Sequence, residues 1–277
     1  MTFSLVACDR EAKQWGVVVA SKFLAVGAVV PWARADVGAI ATQAFANITY
    51  GPDGLDLLAG GATAQETIDR LTAADAEYEE RQIGVVDAAG GSASFSGSGC
   101  FTWAGGRTGA GYAAQGNLLA GPQVVAALAD TFEGTEGPLV ERMLAALAAG
   151  DAAGGDRRGR QSAAVIVRQT GGGYGGNNDL LIDLRVDDHP DPVTELQRLY
   201  AIQDLLFGRT PERDLIPLEQ VQAELSELLG KVGYGGEVEA GLREWAGMEN
   251  LEERLSDGRI DPVVLRALRE QAGGVSG

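Results

Sequence analysis

The sequence predicts an α+β protein in which two antiparallel sheets pack face to face under pairs of covering helices, followed by a small helical C-terminal domain. Three observations carry this. Strand and helix patterns come in blocks (strands, two helices, strands, two helices, strands), and no βαβ alternation calls for a doubly wound parallel sheet. The chain opens directly on a hairpin whose second arm is continuously apolar. Beyond residue 186 the strand patterns give way to helical ones.

Thr2–Cys8 alternates and is β-prone, Asp9–Lys13 is a polar turn, and Trp15–Ala20 is an unbroken apolar run, so the pair reads as a buried hairpin. Val37–Phe45 is a third strand. Two helices follow Tyr50-Gly51-Pro52: a short one over Gly54–Ala59, and Ala64–Ala74, where Thr63 with Glu66 three residues on has capping-box spacing. Strands resume at Arg81–Asp87, Ser92–Ser96 and Gly111–Ala114. Pro122–Phe132 and Gly137–Ala149 are helical. Gln161–Arg168 and Leu180–Val186 are the last strands, joined by the glycine-rich turn Gly171–Gly176.

After the Asp187–Pro192 corner, Val193–Phe207 is an amphipathic helix with Leu196, Leu199, Tyr200, Ile202 and Leu206 on one face. Leu218–Leu229, Val238–Met248 and Asp261–Gln271 are three more helices. A boundary near Thr210-Pro211 divides a domain over 1–210 from a helical module over 211–277.

Apolar residues make up 45% of the 277, enough for a large core. Lys and Arg number 22 against 39 Asp and Glu, a net charge of −17, which argues against nucleic acid or an anionic membrane as partner. With no long apolar run and no signal-peptide pattern, the chain reads as cytoplasmic. Two cysteines suit a reducing compartment, and the single histidine, His189, rules out a multi-histidine metal site. No metal and no cofactor are expected. Cys100 has no neighbouring histidine and reads as a small buried hydrophobe. The Gly171–Gly176 turn lacks the Lys-Ser/Thr of a phosphate loop.

Chemistry concentrates at the start. Thr2 follows Met1 and is small enough for Met1 to be trimmed. Trimming leaves a hydroxyl beside a free α-amine, whose reference pKa of about 7.7–8.0 lets it act as base to its own side chain. A hairpin that enters the core at once would hold Thr2 still.

Several strings resemble a known family. They are Met1-Thr2-Phe3-Ser4, Ala20-Ser21-Lys22-Phe23, Val29-Val30-Pro31-Trp32-Ala33, Thr42–Asn47, Gln115-Gly116-Asn117, Gly154–Ser162 and Asp183–Asp188. Together they resemble the bacterial domain-of-unknown-function family numbered 1028, grouped with the N-terminal nucleophile (Ntn) hydrolases. The stretches Leu242–Trp245, Glu249–Arg254 and Ile260–Val263 are similar to a peptidoglycan-binding-like module. The resemblance implies a four-layer αββα sandwich and an amide-bond hydrolase acting on a small amide or peptide, and a homodimer is the expected assembly.

It also implies roles. Thr2 would be the nucleophile, and a cation near it, Lys22 or Arg34, would tune it; the alternative for both is a solvated surface charge. The end of strand three, from Gln43 through Phe45 to Asn47, would supply oxyanion and substrate contacts, although Asn47 equally suits a turn cap. Asn117 would stand near the terminal amine or cap a loop. Asp156 and Ser162 would steady the amine. Arg157, Arg158 and Arg160 would bind a substrate carboxylate or pair with nearby acids. The rival reading is a non-catalytic binding or scaffold protein whose tail recognises a glycan, peptide or partner subunit.

Overall fold

The computed structural model describes residues 2–273. The chain forms two compact units, Met1–Leu199 and Tyr200–Gly277, dividing ahead of Thr210-Pro211 and inside a helix.

The first unit holds ten strands and four helices, with part of a fifth. In chain order these are β1 (Thr2–Asp9), β2 (Gln14–Ser21), β3 (Pro31–Arg34), β4 (Gly38–Ala44), α1 (Tyr50–Ala59), α2 (Ala64–Ala73), β5 (Arg81–Asp87) and β6 (Ser92–Ser96). They continue with β7 (Gly105–Gly109), β8 (Tyr112–Asn117), α3 (Gln123–Gly134), α4 (Leu139–Ala152), β9 (Ser162–Arg168), β10 (Leu180–Val186) and α5 (Pro192–Phe207). One sheet runs β10-β9-β2-β1-β8-β7 and the other β3-β4-β5-β6. Every neighbouring pair is antiparallel.

The two sheets pack on each other, α1 and α2 pack on the four-stranded sheet, and α3 and α4 pack on the six-stranded one. Alternation along β1 divides its side chains between the two faces. Val6 and Cys8 join Val17, Val19, Ala39, Ala41 and Val86 in the core between the sheets. Phe3, Leu5 and Ala7, all buried, point to the helical side.

Two strands went unforeseen. β3 begins at a proline and β7 is Gly105-Gly106-Arg107-Thr108-Gly109; each is an edge strand, where weak patterning is tolerated. α1 starts at Tyr50, earlier than Gly54, because Pro52 lies in the first turn, where its missing N–H costs nothing. The Thr63–Glu66 capping box forms in both directions, with the Glu66 N–H donating to Thr63 Oγ1 at 3.2 Å and the Thr63 N–H to Glu66 Oε2 at 2.9 Å.

A half-buried ion pair ties the end of β4 to the α2–β5 loop. Arg81 Nε donates to Asp75 Oδ2 at 2.9 Å and its Nη1 to the Phe45 carbonyl at 2.7 Å. Tyr50 and Asn47 donate to the same carboxylate oxygen at 3.0 and 3.2 Å. The Arg81 guanidinium holds the Asp75 carboxyl well below the usual carboxylate range. Burial, and then the bond to Asp75, push the Tyr50 phenol up.

The second unit is built on β11 (Ile216–Pro217), α6 (Leu218–Lys231), α7 (Val238–Met248), β12 (Arg259–Ile260) and α8 (Pro262–Ala272). Its core gathers Leu225, Leu229, Leu242, Trp245, Leu265 and Leu268. Asp261 caps α8 through the Val263 N–H at 2.8 Å, with Pro262 at the position where proline suits a helix start. Arg254 Nη1 donates to Asp261 Oδ2 at 2.7 Å, with the two side chains 3% and 2% exposed. The same guanidinium donates to the Leu205 and Asp204 carbonyls. Among the described residues no helix is long and apolar enough to cross a membrane.

Two outcomes follow from these ion pairs. Arg254→Ala leaves Asp261 charged and unpaired in the interior and should cost the second unit about 3–5 kcal/mol. Hydrogen exchange across α7 and α8 in the full chain should rise accordingly, and unchanged exchange would refute the clasp. Because the Asp75 carboxyl is depressed in the folded chain, its stabilisation is complete above the unfolded value of about 3.9 and is lost as pH falls through the folded value. Urea titrations should show the gap between native protein and Asp75→Asn widest at neutral pH and shrinking in acid. A gap constant from pH 7 to 3 would contradict this.

Candidate active site

Hairpin register and sheet order determine what surrounds Thr2. It lies opposite Asn117 of β8 on one side, and on the other it follows the β1–β2 register towards Ser21, itself opposite Ser162 of β9. Asn117, Thr2, Ser21 and Ser162 therefore form a polar row across four adjacent strands, on the face towards the other sheet. Directly opposed antiparallel residues have Cβ atoms about 5 Å apart, so each member can touch the next. Thr2 Oγ1 and Ser21 Oγ are hydrogen-bonded at 3.1 Å. Thr2 is 5% exposed.

The facing sheet meets this row with amides. Gln43 Nε2 donates to the Thr2 carbonyl at 3.4 Å and to Gln82 Oε1 at 2.7 Å. Asn117 Nδ2 donates to the same Gln82 oxygen at 2.8 Å. Gln82 in turn donates to the Gly116 carbonyl at 2.8 Å and to Ser96 Oγ at 2.7 Å. Ser4 Oγ donates to Gln43 Oε1 and accepts from Gln115 Nε2, both at 2.7 Å.

Ser4, Gln43, Gln82, Gln115 and Asn117 are buried and Ser96 is half-buried, so the network replaces water at the junction of the sheets. Gly84 makes room for it, since a Cβ there would lie 2.1 Å from Gln115 Oε1. Ser96 and Gly105 also line a cleft of about 340 Å³ between the edges of β6 and β7, which Gln82 links to the Thr2 row.

A third wall crosses the open end of β1. Gly154 and Gly155 turn the chain with φ of 117° and 46°, values that favour glycine, and deliver Asp156 to a bridge with Leu119. Asp156 Oδ2 accepts from the Lys22 N–H at 2.8 Å, and Oδ1 accepts from the Arg158 N–H at 2.9 Å. The Arg157 N–H reaches the Leu118 carbonyl at 3.3 Å, and the Leu118 N–H reaches the Phe101 carbonyl at 2.8 Å. The segment thus spans from the residue after Ser21 to the residue after Asn117, closing around Thr2.

Several expected residues take other positions. Arg34 ends β3 beside the turn into β4 and pairs with Asp56 at 2.9 Å. It lies opposite Gly38, five positions before Gln43, which is about 17 Å along a strand. The expectation that Arg34 is a cation near Thr2 is therefore corrected. Lys22 is exposed, with Nζ on the Arg160 carbonyl at 3.3 Å; the Asp156 contact is to its backbone.

Asn47 is taken up by Asp75 and by a turn in which its Oδ1 accepts from the Thr49 N–H at 3.2 Å. Ser162 Oγ donates to the Phe23 carbonyl at 2.5 Å and accepts from the Val26 N–H at 3.1 Å, bracing the loop after β2. Arg160 is paired with Asp151 at 2.8 Å and Arg158 with Asp156 at 3.1 Å. Gln43 and Asn117 do face Thr2. Phe45 and Phe101 form an exposed pair at the rim, with ring centroids 6.0 Å apart.

Ser21, Gln82 and Ser4 were not singled out from the sequence. Counting back from the Asp9–Gln14 turn would have placed Ser21 beside Thr2; nothing local marks Gln82. Burial pushes the Cys8 thiol up to about 11 and raises that of Cys100, so neither is a ready thiolate. Among the described residues the hydrogen-bond partner of Thr2 Oγ1 is a hydroxyl, so no side-chain base adjoins it. No group of metal-ligating side chains gathers among the described residues.

Comparison with known proteins places this geometry in a family. The model of the family of unknown function DUF1028 matches residues 2–196, and that of a peptidoglycan-binding-like domain matches residues 205–268. The crystal structure of protein SPO2555 from Silicibacter pomeroyi, a DUF1028 protein, is similar at 29% identity and a TM-score of 0.67, covering 76% of this chain and 90% of that one. No curated protein matches. The chain, with Thr2 heading the central strand, thus belongs over residues 2–196 to the family of unknown function DUF1028, and a peptidoglycan-binding-like domain follows over residues 205–268.

Proposed function

We propose that the first unit is an N-terminal-nucleophile amidohydrolase with Thr2 as nucleophile. The observation that carries the reading is the setting of Thr2: first residue of a central strand, hydroxyl held by Ser21, carbonyl held by Gln43, and Asn117 alongside. Helix pairs on two mutually packed sheets fit the four-layer αββα arrangement of such enzymes. Met1 lies outside the described residues, and its removal is part of the proposal.

With Met1 gone, the Thr2 α-amine accepts the hydroxyl proton as Oγ1 attacks the carbonyl carbon of an amide. The second N–H of Asn117, one of whose amide protons already goes to Gln82, is available to the developing oxyanion. Collapse of the intermediate breaks the C–N bond, and the ammonium returns its proton to the leaving nitrogen. A water, deprotonated by the same amine, then hydrolyses the acyl ester and restores the threonine. Ser21 fixes the Oγ1 orientation, and the glutamine network keeps the strand end from moving.

A non-catalytic binding role is the second reading, favoured by the peptidoglycan-binding-like domain over residues 205–268. The two are separated by the N-terminus. Intact mass of the untagged chain should be lower by one methionine residue, and Thr2→Ala should lose at least about a thousandfold in turnover on an amide panel. A chain that retains Met1 acylates the proposed base and leaves only the binding reading. Full activity in Thr2→Ala would likewise sink the hydrolase.

A further inference from the structure

We infer that the mouth at Thr2 selects an amide bearing a free carboxylate next to an apolar group, as in an N-acyl amino acid, with Arg157 holding the carboxylate and Phe45 and Phe101 the apolar part. This rests on the hydrolase reading for turnover, although the recognition itself does not.

Of the three arginines in the 157–160 string, two are already matched. Arg158 sits on Asp156, and Arg160 forms a two-point fork on Asp151 at 2.9 and 2.8 Å. Arg157 differs. Among the described residues its guanidinium has no carboxylate partner, and its hydrogen bond is a long one, 3.5 Å from Nη1 to the Thr102 carbonyl.

Its backbone is nevertheless held in place by the Leu118 carbonyl, one residue beyond the cross-strand partner of Thr2. The side chain is exposed at this anchored position, and most of its five N–H donors remain available. A planar guanidinium fork matches a carboxylate at two points.

The aromatic pair stands on segments joined to the Thr2 row and to Arg157. Phe45 is two residues beyond Gln43, which holds the Thr2 carbonyl, and its own carbonyl is clamped by Arg81. Phe101 sits in the ladder that continues through Leu118 to Arg157. Each residue is 57% exposed, and the two rings pack against each other at a tilt of 58°. Two large apolar rings left half in water beside a donor-rich cation suit a ligand with matching halves.

The test uses N-phenylacetyl-L-phenylalanine and its C-terminal amide, which differ only in the terminal group, an anionic carboxylate against a neutral carboxamide. Binding of both to the full-length Thr2→Ala chain is measured calorimetrically, and release of the amino acid or amino amide by the native chain is followed by mass spectrometry. The acid should bind at least about tenfold more tightly than the amide, and the preference should vanish in Thr2→Ala/Arg157→Gln and return in part in the Arg157→Lys counterpart.

Equal binding of the two probes, or a preference that survives Arg157→Gln, overturns the carboxylate assignment even where the native chain hydrolyses both. Arg157-dependent preference in binding without hydrolysis by the Met1-free native chain supports the recognition site and counts against the hydrolase on this substrate class.

Discussion

β1 is hydrogen-bonded on both edges, to β2 and to β8, from its first residue onward. A terminal residue usually frays because ordering it costs entropy with few contacts in return. Here the backbone ladder on either side, with Phe3 and Leu5 buried on one face and Val6 on the other, leaves residue 2 only 5% exposed. Everything chemical at this end depends on that placement, since a hydroxyl can work as a nucleophile only when its orientation is already determined.

The polar groups between the sheets extend the same constraint. Apolar residues fill most of the inter-sheet space, but at the Thr2 end it holds Ser4, Gln43, Gln82, Gln115 and Asn117. Burying these amides is costly unless they bond to one another, and they do so across both sheets. The result is a connected polar floor in which Gln115 Oε1 is the amide oxygen left without a partner among the described residues. Stability and site geometry are the same set of hydrogen bonds here. The Asp156 segment and the Arg81–Asp75 pair act further out, holding the two loops that carry Arg157 and Phe45.

The second unit has a different logic. Its helices meet in a small leucine-rich core around Trp245, and a buried Arg254–Asp261 pair links the helix cap of α8 to the carbonyls of Asp204 and Leu205. A core of this size leaves little margin, so loss of one partner of this buried ion pair should be costly.

By itself, the sequence determined whatever depends on short-range pattern. Alternation in Thr2–Cys8 and the apolar run after it made a buried hairpin, Thr63 and Glu66 formed the capping box, and the leucine spacing of the tail made helices. Thr2 was visible from the hydroxyl and α-amine that removal of Met1 would expose, and Gln43 and Asn117 from the strings that resemble the family. Tertiary structure alone decided which other groups reach them. Arg34 and Asn47 are close to the right strands in sequence, but a hairpin turn carries Arg34 to the far end of β4 and Asp75 captures Asn47. Gln82 is unremarkable in sequence yet central in space, because β5 lies beside β4 and packs against β8. Cross-sheet neighbours are set by register and packing between segments far apart in the chain, and no local periodicity encodes those.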